Sequence, residues 1–404
     1  MEFSFLIDDD TNDNNTTSMF LMFLLLLLDE ENKDILNDID SRNFQSLLYR
    51  RALSGTIHRG SLQNPTKSVF WEVYNSGQDE SLIQLCGFHK AGFDSLLELF
   101  APTYDTFTPH GKTIRAVKKK GGRNRLLSPA ACLGLVLTWL RSRGGNKFLC
   151  FMFGIIPSSC SIWLRYGKRV LIKVLRNVDA AKVKMPSDDD VTTYVNMIQD
   201  KYPALTNCWG AMDGLKIGLE AAGDKQTQSR FYNGWKCDHY ISNLFLFSPA
   251  GRICAAYFNA PGTVHDSTMA LMSGIYSKID EVYVRTGARV VVDSAFSKNS
   301  RNSLIKSFAS NIDRDGRNRQ PNSVNRDATS VRQLSEWGMR GLQGSFPRLK
   351  DRIPWEEHGE RKLLMQLVIY LYNFRTETVG LNQTASVYQK SLDSTANEMI
   401  TNNN

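Results

Sequence analysis

Residues 289–293 read RVVVD. Three consecutive valines describe a strand buried on both faces. Such a strand should avoid a charge, yet Asp293 closes it. The surrounding sequence places this strand in a mixed domain. After about residue 200 the apolar period changes from 3.6 to short strand-like runs. CWGAMDGLKIGL (208–219) reads as a strand carrying Asp213, and HYISNLFLFSPAGRICAAYFNA (239–260) as a hairpin turning at Ser248-Pro249-Ala250-Gly251. A helix follows PGTVHDS (261–267); then come the valine strand, a long basic stretch to about 332, and helices at RQLSEWGMRGLQGSF and KLLMQLVIYLYNF. Three strands, a helix, a strand and further helices make an α/β or α+β domain.

The first half is helical. Apolar clusters at SLLYR and FDSLLELF mark helices between about 41 and 110. Ser128-Pro129 is a helix start, with Ser as the cap and Pro in the first turn. ACLGLVLTWLRSR continues that helix and Gly144-Gly145 stops it. KFLCFMFG is a short helix ending at Gly154, and a longer, basic one starts near Pro157. Two helices about a glycine-containing turn suit a helix-turn-helix or an ordinary bundle with a basic face.

Charge is unevenly spread. The formal net charge is +8, but residues 1–40 hold eleven acids and one base, Lys33, leaving 48 bases against 30 acids in the remainder. A basic body suggests a polyanionic partner, nucleic acid first and anionic membrane second. Residues 112–125, KTIRAVKKKGGRNR, concentrate seven bases around two glycines and read as a loop or arm. The seven cysteines include no C-x-x-C pair, which points to a reducing compartment and away from a zinc knuckle or disulfide framework. The run MFLMFLLLLL (19–28) is far short of the roughly 20 residues a membrane helix needs. Acidic residues precede it, unlike a signal peptide, so it reads as a short apolar helix.

Asp213 and Asp293 resemble each other: each ends an apolar run and precedes a small residue, Gly214 or Ser294. If their strands are neighbours, both carboxylates meet at one sheet edge, where open α/β sheets place ligands. Turn capping is the alternative for both. Two carboxylates in a dry crevice share a proton or bind a cation, and oxygen donors without a His/Cys cluster suit Mg²⁺ or Mn²⁺. A further acid is then needed. Asp266, Asp327, Glu336, Asp351 and Glu356 are the candidates, and Glu336, with Arg332 and Arg340 four residues to either side, also fits an exposed ion pair.

The ordered set AMDG (211–214), YNGWK (232–236) with His239, PGTVHDS, VVVDSAF (290–296), R-x-x-x-E-x-x-x-R (332–340) and LYNF (371–374) resembles the PIF/Harbinger transposases, of the DDE superfamily of endonucleases. It covers roughly residues 200–385. FLCFMFGIIPSSCSIWLRYGKRVL (148–171) looks like the helix-turn-helix that precedes the catalytic domain in that family. Trp337-Gly338 keeps the family's pattern after the third acid, while Arg340 stands where a lysine is usual.

The resemblance implies an α/β fold with an RNase H-like catalytic core, a mixed sheet with flanking helices, behind a helical, helix-turn-helix-like N-terminal region. Together with composition and periodicity it partitions the chain into an acidic, largely disordered arm with a short apolar run (1–40), which has no counterpart in the family, a helical region (41–200) with the basic arm and a helix-turn-helix-like segment at about 128–177, the DDE endonuclease domain (201–385), and a disordered tail (386–404). Its catalytic and metal-binding acids would be Asp213, Asp293 and Glu336. Asp266, beside His265, would be either a fourth carboxylate or a helix N-cap or structural turn residue. Two divalent cations, Mg²⁺ or Mn²⁺, would be the cofactors. Lys118, Lys119, Lys120, Arg123, Arg125, Arg165, Lys168, Arg169 and Lys236 would contact DNA, with Tyr232 and Trp235 near its path or packed in the core. The basic segments 112–125 and 298–319 would clamp phosphates without reading sequence.

The implied activity is a metal-dependent DNA endonuclease and transposase that cuts and joins phosphodiesters by a two-metal mechanism in the nucleus. Its partners would be transposon ends, target DNA, a separate Myb-like DNA-binding protein and further copies of the chain. The alternative is a domesticated, catalytically idle DNA-binding protein derived from a transposase. A membrane-surface role for the apolar run is disfavoured by its acidic flanks.

Overall fold

The helical half is built around one buried helix. Of the chain, the computed structural model describes residues 57–109, 125–221, 223–234, 236–296, 301–310, 312, 316–354, 358–380 and 382–388. The acidic arm, the apolar run 19–28, Lys118, Lys119, Lys120, Arg123, Trp235 and Glu356 lie outside them. Helices α1 (Val69–Asn75), α2 (Asp79–Cys86) and α3 (Lys90–Tyr104) precede α4 (Pro129–Arg141). Ser128 caps α4 by accepting the Ala131 N–H at 3.2 Å. Nearly every residue of α4 is buried, because α2, α3, α5 (Asn146–Phe153) and α6 (Pro157–Leu175) all pack on it. Gly154 ends α5 at φ +66°, where a Cβ would also overlap the Gln63 carbonyl. Three residues join α5 to α6, and the helix axes turn by 92°. Among the described residues no single helix is long and apolar enough to cross a membrane.

The chain then passes through α7 (Asp188–Gln199) into a six-stranded sheet. Ser187 and Asp190 form a reciprocal capping box at the start of α7. The following elements are β1 (Cys208–Gly218), α8 (Lys225–Phe231), β2 (Tyr232–Asn233), β3 (Asp238–Phe247), β4 (Ile253–Pro261), α9 (Asp266–Met272), α10 (Ile275–Thr286), β5 (Arg289–Asp293), β6 (Leu304–Ser307), α11 (Asn322–Ser345) and α12 (His358–Thr378). β1 pairs antiparallel with β3 and parallel with β5, and β5 pairs parallel with β6. β3 pairs antiparallel with β4 and, at its start, with β2.

Val290, Val291 and Val292 are all fully buried. Since successive side chains point to opposite faces, both faces of the sheet are covered at β5, as the valine run predicts. α11 packs on β1, β3, β5 and β6, α7 on β1, and α12 on β4. Within LYNF, buried Asn373 accepts the Ile253 N–H at 2.8 Å and donates to the Ile253 and Lys182 carbonyls at 3.0 and 3.1 Å. That motif therefore fastens α12 to the first residue of β4.

From Arg59 onward the chain forms one compact unit, so helical region and sheet share a core. Lys168 on α6 pairs with Glu360 on α12 at 2.6 Å, and α6 packs along α12. Tyr388 is fully buried, with the Lys201 ammonium 5.6 Å from its ring centre.

Candidate active site

The β1–β5 ladder carries two acids to one place. Ala211 pairs with Val291 and Met212 with Val292. Asp213 and Asp293 follow one residue later on adjacent parallel strands and face the same way. Each is braced by its own backbone: Asp213 Oδ1 accepts the Gly214 N–H at 2.8 Å, and Asp293 Oδ1 accepts the Ser294 N–H at 2.7 Å. The strands beneath them are buried, so both carboxylates sit on rigid supports.

Asp266 joins them from the start of α9. Its carboxylate lies directly over Gly214, where a Cβ would overlap it. The residue after Asp213 must therefore be glycine for Asp266 to stand there. The helix-cap alternative does not describe it: His265 is the N-cap residue and Asp266 is the first residue of the helix.

Glu336 approaches from α11, through an arginine. Arg332 Nη2 is 2.9 Å from Glu336 Oε1, and its Nη1 is 3.7 Å from Asp213 Oδ2. The i,i+4 ion pair expected on α11 is present, but it is half-buried against β1 rather than freely exposed. Arg340, four residues the other way, is exposed. Asp327 and Asp351 are engaged elsewhere. Asp327 accepts the Ala204 N–H at 3.2 Å, and Asp351 pairs with Arg143 at 2.7 Å and Arg348 at 3.3 Å.

Crowding of like charge shapes the electrostatics. Burial pushes the Asp213 carboxyl up to about 6, and Asp266 and Asp293 press the same way; the Gly214 N–H and Arg332 oppose them. Burial also raises Asp266, with Asp293 adding to it and Lys216 and His265 working against it. Lys216 escapes sequence inspection as a site residue. It shares a face of β1 with Gly214, two residues on, and that spacing is the only local signal it gives.

The donor set suits a hard divalent ion: all its groups are carboxylates, and Asp213 and Asp266 are the most buried of them. Among the described residues, no three His, Cys, Asp or Glu side chains converge closely enough to hold one ion as they stand. Ligation therefore requires side-chain rotation, and Arg332 lies against one oxygen each of Asp213 and Glu336.

The bases expected to contact DNA are divided in their roles. Arg125 donates to the Tyr104 and Phe107 carbonyls, both at 2.7 Å, and Lys168 is spent on Glu360. Arg165 and Arg169 are exposed and line, with Phe107, Tyr166 and Lys173, a cavity of about 200 Å³. Lys236 and Tyr232 are exposed, Tyr232 lying edge-on to His239 at 5.4 Å. The Asn233 side chain donates to the Gly262 carbonyl at 2.9 Å, tying YNGWK to the PGT turn.

No curated protein and no solved structure matches the chain. Residues 212–373 match the family model of the DDE superfamily endonuclease. The matched segment starts one residue before Asp213 and includes Asp266, Asp293, Arg332 and Glu336. The sheet and the helices that gather these acids thus lie largely within a segment that is similar to the DDE superfamily endonuclease domain.

Proposed function

We propose that the chain is a divalent-cation-dependent DNA endonuclease of the Harbinger transposase type, with Asp213, Asp293 and Glu336 as its catalytic acids and Asp266 as a fourth carboxylate. The observation that carries this reading is the meeting of Asp213 and Asp293 at adjacent parallel strand ends, with the Asp266 carboxylate against Gly214, the residue next to Asp213. The strand order supports an RNase H-like core: an antiparallel β4-β3-β1 meander continues into parallel β5 and β6.

Two Mg²⁺ or Mn²⁺ ions held by these carboxylates would supply Lewis acidity and neutralise charge developing on the scissile phosphate. The chain's own contribution is positional. The Gly214 and Ser294 N–H groups fix one oxygen each of Asp213 and Asp293. Gly214 makes room for Asp266, and Lys216 offsets the added negative charge.

On this reading α5 and α6 act as the helix-turn-helix, supported by their 92° turn and short connection. The exposed stripe of α6 runs Ser158, Ser161, Arg165, Arg169, Lys173, Arg176 at helical spacing, so it presents hydroxyls first and cations after. Replacing Arg165 and Arg169 together with alanine is expected to weaken binding to any DNA sequence. The slope of log affinity against log salt should fall by about 2. An unchanged slope, measured by fluorescence anisotropy at several salt concentrations, removes α6 from the interface. Substrates would be transposon ends and target DNA in the nucleus. A Myb-like partner and self-association rest on the resemblance alone.

The idle alternative draws on Arg332, which already neutralises Asp213 and Glu336. Nicking of supercoiled plasmid by the purified protein with Mn²⁺ or Mg²⁺, suppressed by a chelator, decides between them. Salt-sensitive DNA binding without nicking, in the presence of nuclear extract as well, supports the idle reading.

A further inference from the structure

Arg332 has a position that the endonuclease reading leaves unexplained. It projects from α11 one turn before Glu336 and touches acids on two different elements, Glu336 at 2.9 Å and Asp213 at 3.7 Å. All three side chains are at most a third exposed, at 28%, 32% and 17% for Arg332, Glu336 and Asp213. One guanidinium thus neutralises two carboxylates that desolvation would otherwise leave in repulsion. The oxygens it contacts, Asp213 Oδ2 and Glu336 Oε1, belong to two of the acids that a cation at this site would draw on. Asp213 Oδ1 accepts the Gly214 N–H and Oδ2 faces Arg332, so the guanidinium and an incoming ion compete for the same negative charge.

We propose that Arg332 is the resident counter-ion of the acidic site and that a divalent cation binds by exchange with it. The inference rests on the reading of this site as cation-dependent. In the exchange Asp213 and Glu336 would hold the ion in place of the guanidinium, and the arginine side chain rotates off them. Its stem is long and flexible, so the backbone of α11 need not move. No covalent bond changes. The released guanidinium, a planar fork matched to phosphate oxygens, then stands beside the ion-bearing acids. Arginine at this position would thereby couple ion binding to capture of the DNA backbone.

The test is titration of the full-length protein with Mn²⁺ alone, followed by calorimetry, on wild type, Arg332→Gln and Asp293→Asn. Exchange predicts that Arg332→Gln binds Mn²⁺ about three- to tenfold more tightly, the scale of losing two partly exposed ion pairs. It also predicts that Arg332→Gln weakens DNA binding in Ca²⁺ but not in chelator, a split that a merely structural arginine would not produce. Unchanged or weaker Mn²⁺ binding by a folded Arg332→Gln protein overturns the exchange and makes the pairs permanent. Mn²⁺ binding that is absent from wild type, or undiminished in Asp293→Asn, overturns the cation-site reading itself and the exchange with it. Should Arg332→Gln fail to fold, the Arg332 Nε–H resonance of wild type replaces it. That signal must move on adding Mg²⁺, and a signal unmoved at saturation overturns the proposal.

Discussion

Replacing Asp293 with alanine is expected to lower cation-dependent nicking by on the order of 10²–10³ or more, the scale of removing one preorganised charge-stabilising group. Binding to DNA at low salt should survive. The asymmetry follows from where the residue sits. Asp293 is the last residue of β5, and among the described residues its carboxylate bonds locally, to the Ser294 N–H at 2.7 Å and weakly to the Ser294 hydroxyl at 3.5 Å. The three buried valines before it carry the packing, so its truncation opens no cavity in the core. What it removes is one carboxylate from a set of four. Plasmid nicking with Mn²⁺, compared at equal concentrations of folded wild type and variant, checks this. Wild-type nicking rates in the variant would exclude Asp293 from the chemistry and leave its place at the strand end without a catalytic reason.

Asp213 and Asp293 were legible in the sequence because a charge closing an apolar strand breaks its pattern. Their adjacency follows from the β1–β5 pairing, which no local signal specifies. The contribution of Asp266 was harder to read. It depends on Gly214, 52 positions earlier in the chain, leaving space for a carboxylate. The ion pair between Arg332 and Glu336 was visible as i,i+4 spacing, but its second partner, Asp213, comes from another element. Two pieces of the fold were missed within the basic stretch before 332. β6 is only Leu304–Ser307, too short for alternation to show among lysines and arginines. The first turns of α11, NSVNRDATS, are poor in strong helix formers. Packing of α11 on β1, β5 and β6 sets that half of the helix, and buried Asp327 secures it by accepting the Ala204 N–H. The helical half was read more closely, since the Ser128 cap and the Gly154 stop are local devices.

The crowding of acids also has a thermodynamic consequence, opposite in sign to its catalytic one. Asp213→Asn is expected to make the protein more stable at pH 7.5 and inactive. The Asp213 carboxyl is pushed up to about 6 from an ordinary 3.8, so the folded state holds its proton more tightly than the unfolded chain does. Stability from this group is therefore greatest below about pH 4, declines as pH rises toward 6, and is constant above that. At 1.36 kcal/mol per unit, the shift amounts to about 3 kcal/mol at most. Asparagine keeps the shape, removes the charge and leaves Arg332 its closer partner, Glu336. A gain of about 1–3 kcal/mol in unfolding free energy is expected in the absence of divalent ions. Urea unfolding of both proteins from pH 4 to 8 checks it, because other titrating groups cancel in the difference. The two curves should meet near pH 4 and separate by pH 6. Mn²⁺ should then stabilise wild type more than the variant, since ligand binding adds to folding free energy only where the site is intact. A variant less stable than wild type at pH 7.5 would mean that Asp213 is held by its bonds to Gly214 and Arg332 more than it is opposed by burial. In that case the acids would be a structural network, not a site awaiting positive charge.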